Sequence, residues 1–138
     1  MTVTGRDDAT SAALAASGHA SPTVAVQNAA GEFVRPTATS LQAAAATLTP
    51  QEDGTFLPDV GTTAPGAYPL TFVEHAVAPA EPLLDDACAP RTESQAVLAD
   101  WLEYLTGPGQ STLAPGLAPL TPTLAAAASG ARAEVGVA

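Results

Sequence analysis

Alanine dominates the apolar residues of this chain, and that limits the fold it can support. Only three Phe, two Tyr and one Trp accompany it in 138 residues. Burying an alanine removes little more than one methyl group from water, so the core energy must come from Val, Leu and the few aromatics. At ~25 cal/mol per Å² of apolar surface, a core built mostly on alanine is weak, and a chain of this length forms one domain of marginal stability. Thirteen Pro and eleven Gly cut the sequence into short pieces. The fold must therefore be assembled from short elements.

Charge excludes several classes of partner. Fourteen acidic residues face four basic ones, for a formal net charge of −10. All four cations are arginines, Arg6, Arg35, Arg91 and Arg132, and they are scattered. Nucleic-acid binding needs clustered cations to displace phosphate counterions, and anionic membranes need the same, so neither partner is expected. No stretch approaches the ~20 apolar residues of a membrane span, so no membrane insertion is expected. Met1 leads into polar residues, Asp7 and Asp8 among them, rather than a basic region and an apolar run, so no signal peptide is read. Taken literally, that gives a cytoplasmic chain.

Cys88 is the single cysteine. It cannot form an internal disulfide or a multi-cysteine metal site. Asp85 and Asp86 beside it would raise its pKa, so it reads as structural, or as half of a disulfide with a larger parent, rather than as a nucleophile.

Residues 1–21 read as a leading strand, Thr2-Val3-Thr4, and an Ala-rich helix from Asp8 to Ala16, capped by Asp7 or Asp8 and ended by Gly18. Val24 to Val34 reads as two short strands or extended arms around a turn at Asn28-Ala29-Ala30-Gly31, because Asn and Gly both tolerate positive φ. After Pro36, one of Thr37, Thr39 or Ser40 caps a helix to about Leu48, with Leu41, Ala44, Ala45 and Leu48 on one face. Thr49 to Gly66 is rich in Pro, Gly, Asp and Thr and reads as a surface loop without regular structure. Tyr68 to Val77 is the most strand-like run, with Pro69 at its start or edge, and Pro79 to Pro90 is again loop. Thr92-Glu93-Ser94-Gln95 fits a capping box that opens a helix with an apolar stripe of Val97, Leu98, Trp101, Leu102 and Leu105, stopped by Gly107-Pro108-Gly109. Leu113 to Pro122 is extended. Residues 123–135 allow a last Ala-rich helix, with Gly130 as its weak point. This order gives an α/β or α+β unit with few strands.

Chemistry-bearing constellations are sparse. His19 lies in a Gly/Ser-rich turn, and His75 follows Glu74 in an extended run where neighbours point to opposite faces, so both read as surface or edge histidines. The acidic pairs Asp7-Asp8, Glu52-Asp53 and Asp85-Asp86 read as solvated charge or caps. Glu52-Asp53-Gly54 comes nearest to a calcium loop but lacks its alternating oxygens. No glycine-rich nucleotide loop is present, so no cofactor is implied. Trp101 has the spacing of a core residue. No catalytic, ligand-binding or metal-ligating set can be named, and the chain reads as non-enzymatic.

Three ordered stretches resemble the carboxy-terminal part of phosphate-binding (PstS-type) solute-binding proteins of ABC importers. Val24 to Ala46 (VAVQNAAGEFVRPTATSLQAAAA) is similar to that family's A-x-x-N-x-x-G-x-F-V-x-P-T strand and the Ala-rich helix after it. Gly66 to Pro79 (GAYPLTFVEHAVAP) is similar to its Y-P-I/L strand returning through the hinge. Gln95 to Pro122 resembles its closing helix and G-x-x-P-L-x-P tail, here Gly116 to Pro122. The match runs over about residues 20–128.

The resemblance implies an α/β fold, specifically a partial type-2 periplasmic-binding-protein-like lobe with few strands and Ala-rich helices. Residues 1–138 would form this single partial domain, with 123–138 as its tail. It implies phosphate or another oxyanion as ligand of the complete parent, held by helix N-termini, hydroxyls, an Arg and an acidic acceptor, and an extracytoplasmic or cell-surface location. Arg6, Asp8, Thr10 and Ser11 are weakly similar to the family's Arg-x-Asp-x-Ser pattern, but the strand at Val24 follows too soon. The family's Ser-Gly-Thr loop has no counterpart, so no ligand residue carries over. Enclosing an anion takes two lobes, about 300 residues in domains of ordinary size. The expectation is thus a non-catalytic fragment or degenerate relative of an oxyanion receptor. The alternative is a structural or partner-binding module, of cell-surface type, that keeps the fold without the ligand. Uncovered sheet edges and helix faces would favour self-association or a second chain.

Overall fold

Among the described residues, four antiparallel strand pairings and three α-helices build the protein. The computed structural model describes residues 23–114 and 116–136, together with the backbone of residues 2–4. The expected helix from Asp8 to Ala16, His19 and the Arg6–Ser11 pattern lie outside the described residues. The elements are β1 (Thr2–Thr4), β2 (Val26–Gln27), β3 (Phe33–Val34), α1 (Ala38–Ala45), β4 (Thr49–Pro50), β5 (Phe56–Leu57), β6 (Phe72–Glu74), α2 (Thr92–Thr106), a 3₁₀ turn (Pro108–Ser111), β7 (Leu117–Ala118) and α3 (Pro122–Ala133). The chain thus mixes helices with few, short strands, and every strand ladder among the described residues is antiparallel.

The main sheet has the order β6-β1-β7. Val3 lies opposite Val73 on one side and Ala118 on the other, so the start of the chain joins its middle to its end. Strand β6 alternates as a half-buried strand should: Val73 is buried while Phe72 and Glu74 face outward. It is shorter than the expected Tyr68–Val77 run. Pro69 lies before it in a turn closed by the Thr71 hydroxyl, which donates to the carbonyl of Tyr68 at 2.8 Å.

Hairpin β2–β3 forms around the expected turn. Asn28 N–H donates to the Glu32 carbonyl and Gly31 N–H to the Asn28 carbonyl, at 2.9 and 3.0 Å. Gly31 takes φ +84°, which a side chain would resist. Thr37 caps α1 through its hydroxyl, which accepts the Ser40 N–H, while the Ser40 hydroxyl accepts the Thr37 N–H at 2.8 Å. The helix then buries Leu41, Ala44 and Ala45, the stripe expected from its spacing.

The expectation of an irregular loop from Thr49 to Gly66 is corrected. Strands β4 and β5 form a second hairpin there, pairing Thr49 with Leu57 and Pro50 with Phe56. Its turn repeats the first: Gln51 N–H donates to Thr55, Gly54 N–H donates to Gln51, and Gly54 sits at φ +79°. Asp53 accepts the N–H and hydroxyl of Thr55 at 2.9 and 2.6 Å, fixing the bend. Phe56 then becomes a core residue.

A third turn of the same hydrogen-bonding pattern lies in the expected loop Pro79–Pro90. Asp85 N–H donates to Ala89 and Cys88 N–H to Asp85, and a bridge joins Leu84 to Pro90. Cys88 occupies the place held by Gly31 and Gly54, at φ 60°.

The core cluster comprises Leu41, Ala45, Phe56, Tyr68, Val73, Ala118 and Leu124. Of the eleven buried apolar side chains among the described residues, Ala44, Ala45, Ala67, Ala118 and Ala128 are alanines, which is the thin core the composition implies. The Ala-rich last helix forms as expected and contributes Leu124 and Ala128.

Helix α2 departs from expectation at both its start and its stripe. Arg91 is its N-cap and makes no side-chain cap bond, so the Thr92–Gln95 capping box does not form. The Gln95 side chain instead accepts the N–H of Leu83 at 3.0 Å, because the 82–90 loop folds back against the helix. Leu102 is buried, but Trp101 is 51% exposed and Val97 68%, so Trp101 is not a core residue. Among the described residues α3 packs against α2 through small alanines, and Val97 and Trp101 on the far side of the stripe stay exposed.

Candidate functional site

Asn28 anchors the best-connected polar cluster among the described residues. It is buried at the start of the first hairpin turn, and its amide nitrogen donates to the Glu32 carboxylate at 3.2 Å and to the carbonyl of Ala67 at 3.3 Å. Its amide oxygen accepts the Glu32 N–H at 3.0 Å. The Glu32 carboxylate also accepts the Gly66 N–H at 2.7 Å. These bonds, to Gly66 first and Asn28 second, hold the Glu32 pKa below its ordinary value. With its carboxylate already accepting two donors and its surface open, this cluster clasps the hairpin to the turn before β6. It works as a joint.

A cleft of about 390 Å³ opens where α2 begins and is lined by Leu83, Pro90, Arg91, Thr92, Gln95 and Val135, among others. A helix start, an arginine and a hydroxyl draw anions in general. Glu93 in the first turn opposes one here, and the unpaired Gln95 amide nitrogen is fully enclosed, against Gly136, rather than open to the cleft. A smaller groove of about 140 Å³ lies between α2 and α3, walled by Ala78, Leu102, Thr106, Ala128 and Ala131. At its rim Arg132 donates to Glu103 at 2.9 Å, so that guanidinium already has an anionic partner.

The groups singled out in the sequence are not brought together. His75 is exposed, and its Nε2 accepts the Phe56 N–H at 3.1 Å, tying β6 to β5. Asp53 lies below its ordinary pKa because of its Thr55 hydrogen bonds, with His75 a minor contributor. Asp85 accepts the N–H groups of Ala87 and Ala89 and so stiffens the turn that carries exposed Cys88. No group of three or more metal-ligating side chains converges among the described residues, and no helix there is long and apolar enough to cross a membrane. The Gln95–Leu83 bond is a feature that sequence reasoning misassigned. Nothing local to Gln95 marks it, since its partner lies twelve residues away in a loop. No family model, curated protein or solved structure matches the chain.

Proposed function

We propose that this chain is the closing part of a phosphate-type solute-binding protein, a non-catalytic scaffold for oxyanion capture whose ligand-holding groups lie in another part of the parent. One observation carries this reading: the three stretches that resemble the family, far apart in sequence, join into a single unit. Asn28 and Glu32 of the first bond Ala67 and Gly66 of the second. The Ser40 carbonyl accepts the Tyr68 N–H at 3.1 Å, and Gln42 donates to the Pro119 carbonyl of the third at 3.3 Å. These bonds support the reading, because in one lobe the three stretches would have to pack against each other.

Reading the genomic DNA upstream of the Met1 codon tests the proposal. An in-frame continuation carrying a second lobe and a Ser-Gly-Thr loop at a helix start is the expected result. An in-frame stop close upstream, with no such lobe, would overturn it.

A second reading, a partner-binding module that keeps the fold without a ligand, is favoured by the exposed aromatic face of α2.

A further inference from the structure

Helix α2 turns Glu93, Val97, Asp100, Trp101 and Tyr104 toward one side, because positions three, four and seven apart share a helix face. Val97 is 68% exposed, and Trp101 and Tyr104 are each 51% exposed. Isolated exposed apolar side chains are ordinary, but a contiguous stripe rimmed by charge marks an interaction surface. The platform is also held in place. The Tyr104 ring packs against Gly109, where an added Cβ would come within 3.0 Å of it, and the Tyr104 hydroxyl lies 3.2 Å from that of Thr112. Rigid aromatic side chains lose little freedom on binding.

The geometry points to a docking surface for a cationic amphipathic segment of a partner protein. Charge selects this occupant. Glu93 and Asp100 flank the aromatic stripe, α2 contains no basic residue, and Arg132 beside it is engaged by Glu103. A guanidinium or ammonium group on the partner would meet carboxylates and the exposed parts of Trp101 and Tyr104, while its apolar side chains would cover Val97. A second copy fits poorly. Each copy carries a net charge of −10, and a two-fold contact through this face would set carboxylates against carboxylates. Anionic lipid and nucleic acid are repelled for the same reason. The inference stands independently of the oxyanion reading.

Trp101 is the sole tryptophan, so its emission reports this face alone. The 138-residue chain is titrated with a synthetic Trp-free amphipathic helix of Leu and Arg, and separately with its Leu/Glu counterpart. The Leu/Arg peptide should shift Trp101 emission to the blue saturably and weaken with salt, and the Leu/Glu peptide should not. Asp100→Lys should bind about tenfold more weakly, as expected for a close charge pair at an interface. Glu52→Lys, the same charge change on the β4–β5 turn, should bind as the parent does, with far-UV circular dichroism confirming that both variants fold. Equal binding by the two variants, equal response to both peptides, no response to either, or a concentration-dependent blue shift without peptide would each overturn the assignment.

Discussion

The amide nitrogen of Asn28 donates to the main-chain carbonyl of Ala67 across a gap of thirty-nine residues, and this bond fixes the first hairpin against the turn that leads into β6. Two parts of the chain with little apolar area between them are held together by polar groups withdrawn from water. Replacing Asn28 with Ala leaves the Ala67 carbonyl and the Glu32 N–H without these partners. The expected loss is about 2–3 kcal/mol, since an orphaned buried polar group costs about 1–3 kcal/mol. Urea denaturation followed by circular dichroism checks it, and Asn28→Ser should recover part of the loss.

Stability should fall at acid pH through this joint and through the β4–β5 turn. Glu32 and Asp53 both have folded pKa values below their ordinary ones, from hydrogen bonds donated by Gly66 and Asn28 and by Thr55 respectively. A depressed carboxyl pKa contributes stability above the unfolded value, and that contribution disappears as pH falls through the folded value. The decline should therefore begin near the unfolded carboxyl pKa values of about 3.9–4.3 and deepen below them. Thermal melts against pH should show a shallower acid limb for Glu32→Gln than for the parent.

Cys88 stands at φ 60° where the two sister turns use glycine. A left-handed conformation costs a non-glycine residue roughly 1–2 kcal/mol, so Cys88→Gly should raise stability, offset in part by the added freedom of the unfolded chain. The net gain should be about 0.5–1 kcal/mol. A melt under reducing conditions reads it without interference from the thiol.

Leu41 is 1% exposed and, with Leu124, is one of the largest fully buried side chains of the described core. Leu41→Ala should cost about 2–5 kcal/mol by lost transfer energy and cavity formation. With so thin a core, that loss should leave most molecules unfolded at 37 °C, as near-ultraviolet circular dichroism would register.

Much of this architecture is legible before any coordinates. The Asn28–Gly31 turn, the α1 stripe of Leu41, Ala44 and Ala45, and the helix stop at Gly107 follow from local rules of φ, spacing and capping. The β4–β5 hairpin does not, because Pro50 stands in one strand and Pro58 follows the other, and its bonds mix a local turn, Thr55 to Asp53, with a distant side chain, Phe56 to His75. The start of α2 misleads for a related reason. Gln95 could have closed a capping box, but a returning loop offers it the Leu83 N–H instead. Trp101 sits at core spacing, yet the partner helix is too small-sided to cover it. The candidate site was illegible throughout, since its joint depends on which carbonyl meets Asn28.

Isothermal titration of the 138-residue chain with inorganic phosphate tests the proposal that these residues keep the scaffold of an oxyanion receptor without its ligand-holding part. The predicted result is no saturable heat at phosphate concentrations up to the millimolar range, where binding free energy falls to about 4 kcal/mol. Tight, one-to-one binding by this chain alone would contradict it.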